Sequence, residues 1–169
     1  MSDLTTVTDH ELMHETPCKL QWSKFSTREA LDVAAGDDGS VWIISKEVTY
    51  GGNFIYKNLE GGLWTTAEDK GAMKIALGEG GVAWIVDDDS NVFKRENEKW
   101  VQVEGKAQDI AANGSSVFIL SKRRMPGGKE IQKYEPGEGW HSYSRGAIAI
   151  AVDPQGNLWY ITESHDLYR

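Results

Sequence analysis

A single cysteine, Cys18, stands in 169 residues, so no internal disulfide can hold the chain together and a reducing compartment is expected. No stretch approaches 18 apolar residues, which excludes a membrane-spanning helix. Met1 to Pro17 has neither the basic flank nor the apolar run of a secretory signal, so the cytoplasm is the expected location. Positive charge is short: 18 Lys and Arg face 26 Asp and Glu, leaving a net charge of −8. Such a surface repels phosphate backbones, and a nucleic-acid partner is not expected. Helical periodicity is missing too. Across 20–169 the apolar residues alternate with period two, the mark of strands.

What the chain does have is repetition. Asp32 to Ile44 reads as a short apolar strand, a Gly/Asp turn and a second strand carrying Trp42. Lys74 to Val86 repeats this around Trp84, Asp109 to Leu120 around Phe118, and Ala149 to Ile161 around Trp159. Each is a β-hairpin signal, and recurrence every 34 to 42 residues with several strands per unit indicates a propeller-type repeat. A third strand follows in each unit, at Ile55-Tyr56-Lys57, Val92-Phe93-Lys94, Ile131-Gln132-Lys133 and Leu167-Tyr168-Arg169. A fourth opens on Trp64, Trp100 or Trp140. The fourth unit reaches Arg169 before such a strand, whereas Leu20 to Phe25 supplies one 42 residues before Trp64.

The expected fold is therefore all-β: a four-bladed β-propeller of four-stranded antiparallel blades, closed by an N-terminal strand at 20–25 that leaves no sheet edge open. Residues 1–19 form a tail with a short helix, and 20–169 form the propeller. Small residues suit the crowded axis, and the inner strands carry Ala34, Ala35, Ala76, Ala111, Ala112, Ala149 and Ala151. A longer period lies above the blades. Trp64 to Trp140 and Gly51-Gly52 to Gly127-Gly128 are 76 residues apart, and Phe93 to Tyr168 is 75. The chain reads as a duplicated two-blade unit with two long, opposed hairpins, Ser45 to Asn53 and Ser121 to Lys129.

The recurring Asp/Lys-Ile/Val-Ala, Gly-x-x-Gly and Val-Trp-x-Ile/Val, followed by Ile-Tyr-Lys and a strand-opening Trp, resembles tectonin β-propeller repeats over 20–169. The Gly-His and Trp-Asp dipeptides of WD40 blades are lacking. The resemblance implies a non-enzymatic binding propeller, in a family that includes glycan-binding lectins and cytoplasmic proteins of membrane traffic.

Several motifs carry apparent chemistry. His10-Glu11-Leu12-Met13-His14 matches H-E-x-x-H, but Pro17 and Leu20 stand where the extended zincin pattern needs Gly and His. Thr8 and Glu11 read instead as the capping box of one short helix. Asp87, Asp89, Asn91 and Glu98 occupy positions 1, 3, 5 and 12 of a calcium loop, with Val92 in place of the required Gly; an acidic hairpin tip is the plainer reading. Trp42, Trp84, Trp159, Trp64, Trp100 and Trp140 are expected mainly in the core, since both faces of a blade are packed. Lys122-Arg123-Arg124 reads as solvated surface, and the Asn113 sequon as a turn. No nucleophile triad, phosphate loop or carboxylate pair emerges, and His141 and His165 lie in different repeats. No catalytic residue, cofactor or metal is expected.

Function then falls on binding. A protein-interaction or scaffold subunit of a cytoplasmic assembly is expected, with a tectonin-type lectin as the alternative. The partner-binding residues expected from the two long hairpins are Tyr50, Asn53, Arg123, Arg124, Met125 and Lys129, a mix of aromatic, guanidinium and thioether groups typical of protein contacts.

Overall fold

A computed structural model describes residues 23–59, 62–67 and 69–169. The expected tail helix, the His10–His14 motif, and Leu20 to Trp22 of the closing strand lie outside these residues. Every strand pairing in the described chain is antiparallel. β1 (Ala30–Ala35), β2 (Val41–Thr49), β3 (Gly52–Asn58) and β4 (Trp64–Thr66) form one sheet in that order. β5 (Lys74–Leu77), β6 (Ala83–Val86), β7 (Asn91–Glu96), β8 (Lys99–Asn113), β9 (Ser116–Met125), β10 (Gly128–Glu135) and β11 (Gly139–Ala147) form a second. β12 (Ala149–Val152), β13 (Leu158–Ile161) and β14 (Leu167–Tyr168) form the third.

The sequence expects four separate sheets, but the second and third units share one. β8 is the reason. Residues 99–106 pair with β7 and 107–113 with β9, so one 15-residue strand ends one meander and begins the next. No turn residue interrupts it except Gly105, whose φ of 136° bends the strand where Trp140 crosses.

Closure by the N-terminal strand is not found among the described residues. Ser23 to Ser26 form no strand, β14 has no second neighbour, and the Phe25 ring lies edge-on to Trp64 at 6.3 Å. Phe25 thus covers an aromatic of the first unit instead of extending the last.

The core is layered, one layer at each junction between units. Trp42, Ile44 and Ile55 of the first unit pack with Ile75, Leu77, Ile85 and Phe93 of the second. Trp84, Val86 and Val92 pack with Ile110, Val117 and Ile119. Phe118, Leu120 and Ile131 pack with Leu158 and, at its margin, Ile150 and Tyr160. The alternation of each strand sends one set of side chains to the preceding unit and the other to the next. Trp42 and Trp84 are buried as expected, while Trp64, Trp100, Trp140 and Trp159 are half-buried. Trp100 lies edge-on to Trp42 and Trp140 to Trp84.

Polar contacts tie the inner strands together. The Ile75 amide donates to Asp32 at 3.0 Å, and Lys74 pairs with Asp109 at 3.7 Å. Burial pushes the Asp109 carboxyl up, against the pull of Lys74.

Turns are held by carboxylates. Asp153 accepts hydrogen bonds from Trp159 Nε1 at 3.0 Å and from the amides of Asn157 and Gln155 at 2.9 Å. The Trp159 bond, with those from Asn157 and Gln155, lowers its carboxyl to about 2. A folded-state value below the unfolded 3.8 means that this turn contributes stability above pH 3.8 and loses it as pH falls toward 2. Asp153→Asn is expected to lower the melting temperature at neutral pH, with the gap to wild type closing between those two values. A gap that stays constant down to pH 2 would refute the assignment.

Candidate functional site

The two long hairpins are long because their strands are long. β2 and β9 have nine and ten residues where β6 and β13 have four, and each hairpin ends in a two-residue turn, Tyr50-Gly51 or Pro126-Gly127. These tips are tied to the neighbouring unit. The Asp88 amide donates to the Gly51 carbonyl at 3.2 Å, and the Glu163 amide to the Gly127 carbonyl at 2.9 Å. The hairpins therefore clamp the first unit to the second and the third to the fourth.

The expected site residues divide accordingly. Tyr50 is 87 % exposed at its tip, but Asn53 is buried, its backbone bridged to Ala72. Arg123 reaches Glu130 Oε1 at 3.3 Å while keeping most of its side chain in solvent. Glu130 is buried and also accepts from Ser121 Oγ, Ser142 Oγ and Gln132 Nε2. Arg124 is ion-paired to Glu163, Lys129 donates to the Lys122 carbonyl at 3.3 Å, and Met125 is half-buried beside the turn. Arg123, Arg124, Met125 and Lys129 thus share one hairpin, with Tyr50 and Asn53 on the other.

A cleft lies beneath each tip, and the two are related by the 75-residue offset. In the first, of about 450 Å³, Lys70 sits 2.9 Å from Asp87 and 4.1 Å over the Phe93 ring. Burial works against the charge on Asp87, but hydrogen bonds from Asn91 and Lys70 outweigh it and hold the carboxyl below the usual range. Those partners occupy the oxygens that a calcium-loop reading of Asp87 would need. Lys70 is neutralised in place.

In the second cleft, of about 380 Å³, Arg145 stands where Lys70 does, Thr162 where Asp87 does and Tyr168 where Phe93 does. The carboxylate is gone, and Arg145 is exposed with no ion-pair partner among the described residues. Tyr160 and Tyr168 stack beside it, with centroids 5.2 Å apart and planes 15° apart. Arg145 and Tyr160 also line a larger cavity of about 670 Å³ between the third and fourth units, which holds Phe118, Tyr143, Lys133 and Arg169. Lys133 is paired to Glu135 at 2.8 Å, and Arg169 lies 3.8 Å from Asp153 and 5.4 Å over Trp159. The result is a groove with three cations and an aromatic lining on an acidic protein.

Another cavity, about 680 Å³ at Ser26 to Glu29, balances Arg28 and Lys46 against Glu29 and Glu47 and has no such polarity. Sequence reasoning passed over Arg145, Tyr143 and Tyr160. The signal was present in the duplicated unit, where Lys70-Gly71 aligns with Arg145-Gly146 and Asp87 with Thr162.

No family model matches the chain, and no curated protein matches it. Among solved structures it is similar to one described as YCF48 bound to D1 peptide, with a TM-score of 0.53 and 16 % identity over 97 % of this chain. That likeness is one of fold. The match takes in 52 % of the YCF48 chain, so this chain spans about half the length of that β-propeller.

Proposed function

We propose that the chain is a non-enzymatic, tectonin-type β-propeller module with four meanders as its blades, acting as a protein-interaction subunit of a cytoplasmic assembly. The groove between the third and fourth units takes a segment of a partner protein that carries carboxylates. Arg145 is the observation that carries this reading: an exposed guanidinium without a carboxylate of its own, set beside stacked tyrosines and flanked by Lys133 and Arg169. A guanidinium fork binds a carboxylate through two parallel hydrogen bonds, and tyrosine faces supply apolar area at low entropic cost. The β9–β10 hairpin with Arg123, Arg124, Met125 and Lys129 borders the groove through Pro126 and Gly127 and forms a second contact. A structure of the same fold described with a bound peptide supports a peptide as the ligand class.

The test is a peptide array of acidic, neutral and basic segments, run beside a glycan array. Binding of acidic segments, weakened about tenfold or more by Arg145→Glu and by added salt, is expected. Arg145→Glu should leave the melting temperature unchanged, because the side chain is exposed. Selective glycan binding with no peptide bound would overturn the proposal in favour of the lectin reading.

A further inference from the structure

Each unit buries its inner strand against the unit before it, in the same way at every internal junction. Ile75 sits among Trp42, Ile44 and Ile55, and Ile110 among Trp84, Val86 and Val92. Ile150 packs against Phe118, Leu120 and Ile131. Aligning the repeats gives the corresponding residues at the two ends of the array. Val33 matches Ile75, Ile110 and Ile150, while Trp159, Ile161 and Leu167 match Trp42, Ile44 and Ile55.

The internal members are buried: Ile44, Ile55, Val86, Val92, Leu120 and Ile131 are all 3 % exposed or less. The end members are not. Val33 and Leu167 are each 62 % exposed, and Ile161 is 36 % exposed. Along β13, Leu158 and Tyr160 face the third unit, so Trp159 and Ile161 face away from it. Along β1, Ala34 packs toward the second unit, so Val33 faces away.

A second regularity points to the same pairing. The tryptophan opening an outer strand lies edge-on to the inner aromatic of the preceding unit, Trp100 to Trp42 at 6.3 Å and Trp140 to Trp84 at 6.1 Å. By the same register Trp64 belongs with Trp159; the described residues of one chain do not make that pair, and Trp64 instead meets Phe25 edge-on at 6.3 Å. One end of the array therefore carries a knob and the other carries the socket that fits it.

We propose that a second copy of this chain docks end to end. Val33 and Trp64 of each copy enter the Trp159–Ile161–Leu167 socket of the other, and two copies close one ring. Two arcs of four units fall within the roughly 4–8 blades that propellers use. A head-to-tail contact either closes or grows into a filament, and closure at two copies buries both apolar ends.

The experiment is sedimentation of the full chain over a range of concentrations, with Val33→Asp, Leu167→Asp and an equimolar mixture of the two variants. Wild type is expected at twice the 18.8 kDa of one chain, and each variant alone at one chain. The mixture is expected to regain a two-chain species, because one copy still offers an intact knob and the other an intact socket. Val33 and Leu167 are exposed in one chain, so the circular dichroism of the variants should match that of wild type. If Leu167→Asp disturbs it, Ile161→Asp takes its place. A monomeric wild type, an open series of larger masses, or a dimer that survives both variants would overturn the proposal. Arg145 points into the groove and not the socket, so Arg145→Glu should leave the mass unchanged whatever it does to peptide binding.

Discussion

Gly128→Ala is expected to destabilise the protein by about 3 kcal/mol or more. Gly128 follows the β9–β10 turn at a φ of 137°, and an added Cβ would lie 2.4 Å from the Ala147 carbonyl oxygen and 2.5 Å from its carbon. Those atoms are backbone within a ladder and cannot swing aside. Gly146, on the facing strand, has no room either, because a Cβ there would meet the Gly128 amide nitrogen at 2.7 Å. Two strands approach this closely because the hairpin must cross the next unit to clamp it. Gly52 repeats the arrangement 76 residues earlier, where a Cβ would meet Ala72 at 2.8 Å. Gly137→Ala is the control: its φ of 83° is also unfavourable for alanine, but no atom lies within 4 Å of the new methyl. That variant should lose only the roughly 1 kcal/mol of a left-handed residue. Urea denaturation of both variants separates clash from dihedral strain, and equal losses would remove the clamp from the explanation.

Ile85→Ala is expected to cost about 3–4 kcal/mol, within the range for emptying a fully packed core position. Ile85 is completely buried in β6, in the layer that joins the first unit to the second. Trp42, Ile44 and Ile55 of the first sheet cannot collapse onto the space without shifting that sheet as a body. Ile85→Val should cost about 1 kcal/mol, since only one methyl is lost. Because each layer belongs to one junction, the damage should also be local. Native-state hydrogen exchange is expected to show faster opening in β1–β3 and β5–β7 than in β10–β13. Uniform acceleration across the chain would mean that the layers do not act separately.

Much of this was legible in the residues. Period-two alternation and the Gly/Asp turns are local properties, and they placed the strands around Trp42, Trp84, Phe118 and Trp159 where the structure has them. The 76-residue offset of the hairpins is matched by two tips that are each hydrogen-bonded to the next unit. Other features were not local. Asn53 reads as a polar hairpin residue, yet a bridge to Ala72 buries it. Arg123 reads as a free cation, yet it lies over the buried carboxylate of Glu130. The hairpins read as partner-binding loops, whereas hydrogen bonds from the Asp88 and Glu163 amides make them clamps. Shortening them would therefore disturb the fold as well as any contact they make.

By itself the sequence determined that the chain is an array of antiparallel meanders. Each strand and turn is set by neighbours a few residues away, and four near-copies reinforce one another. The tertiary structure alone decided which sheet faces pack together and which cation lacks a counter-charge among the described residues. Lys70 and Arg145 occupy equivalent places in the repeat, and only the fold shows that Asp87 neutralises one while nothing described neutralises the other. That difference arises between residues far apart in the chain, where packing sets the partners and sequence spacing does not.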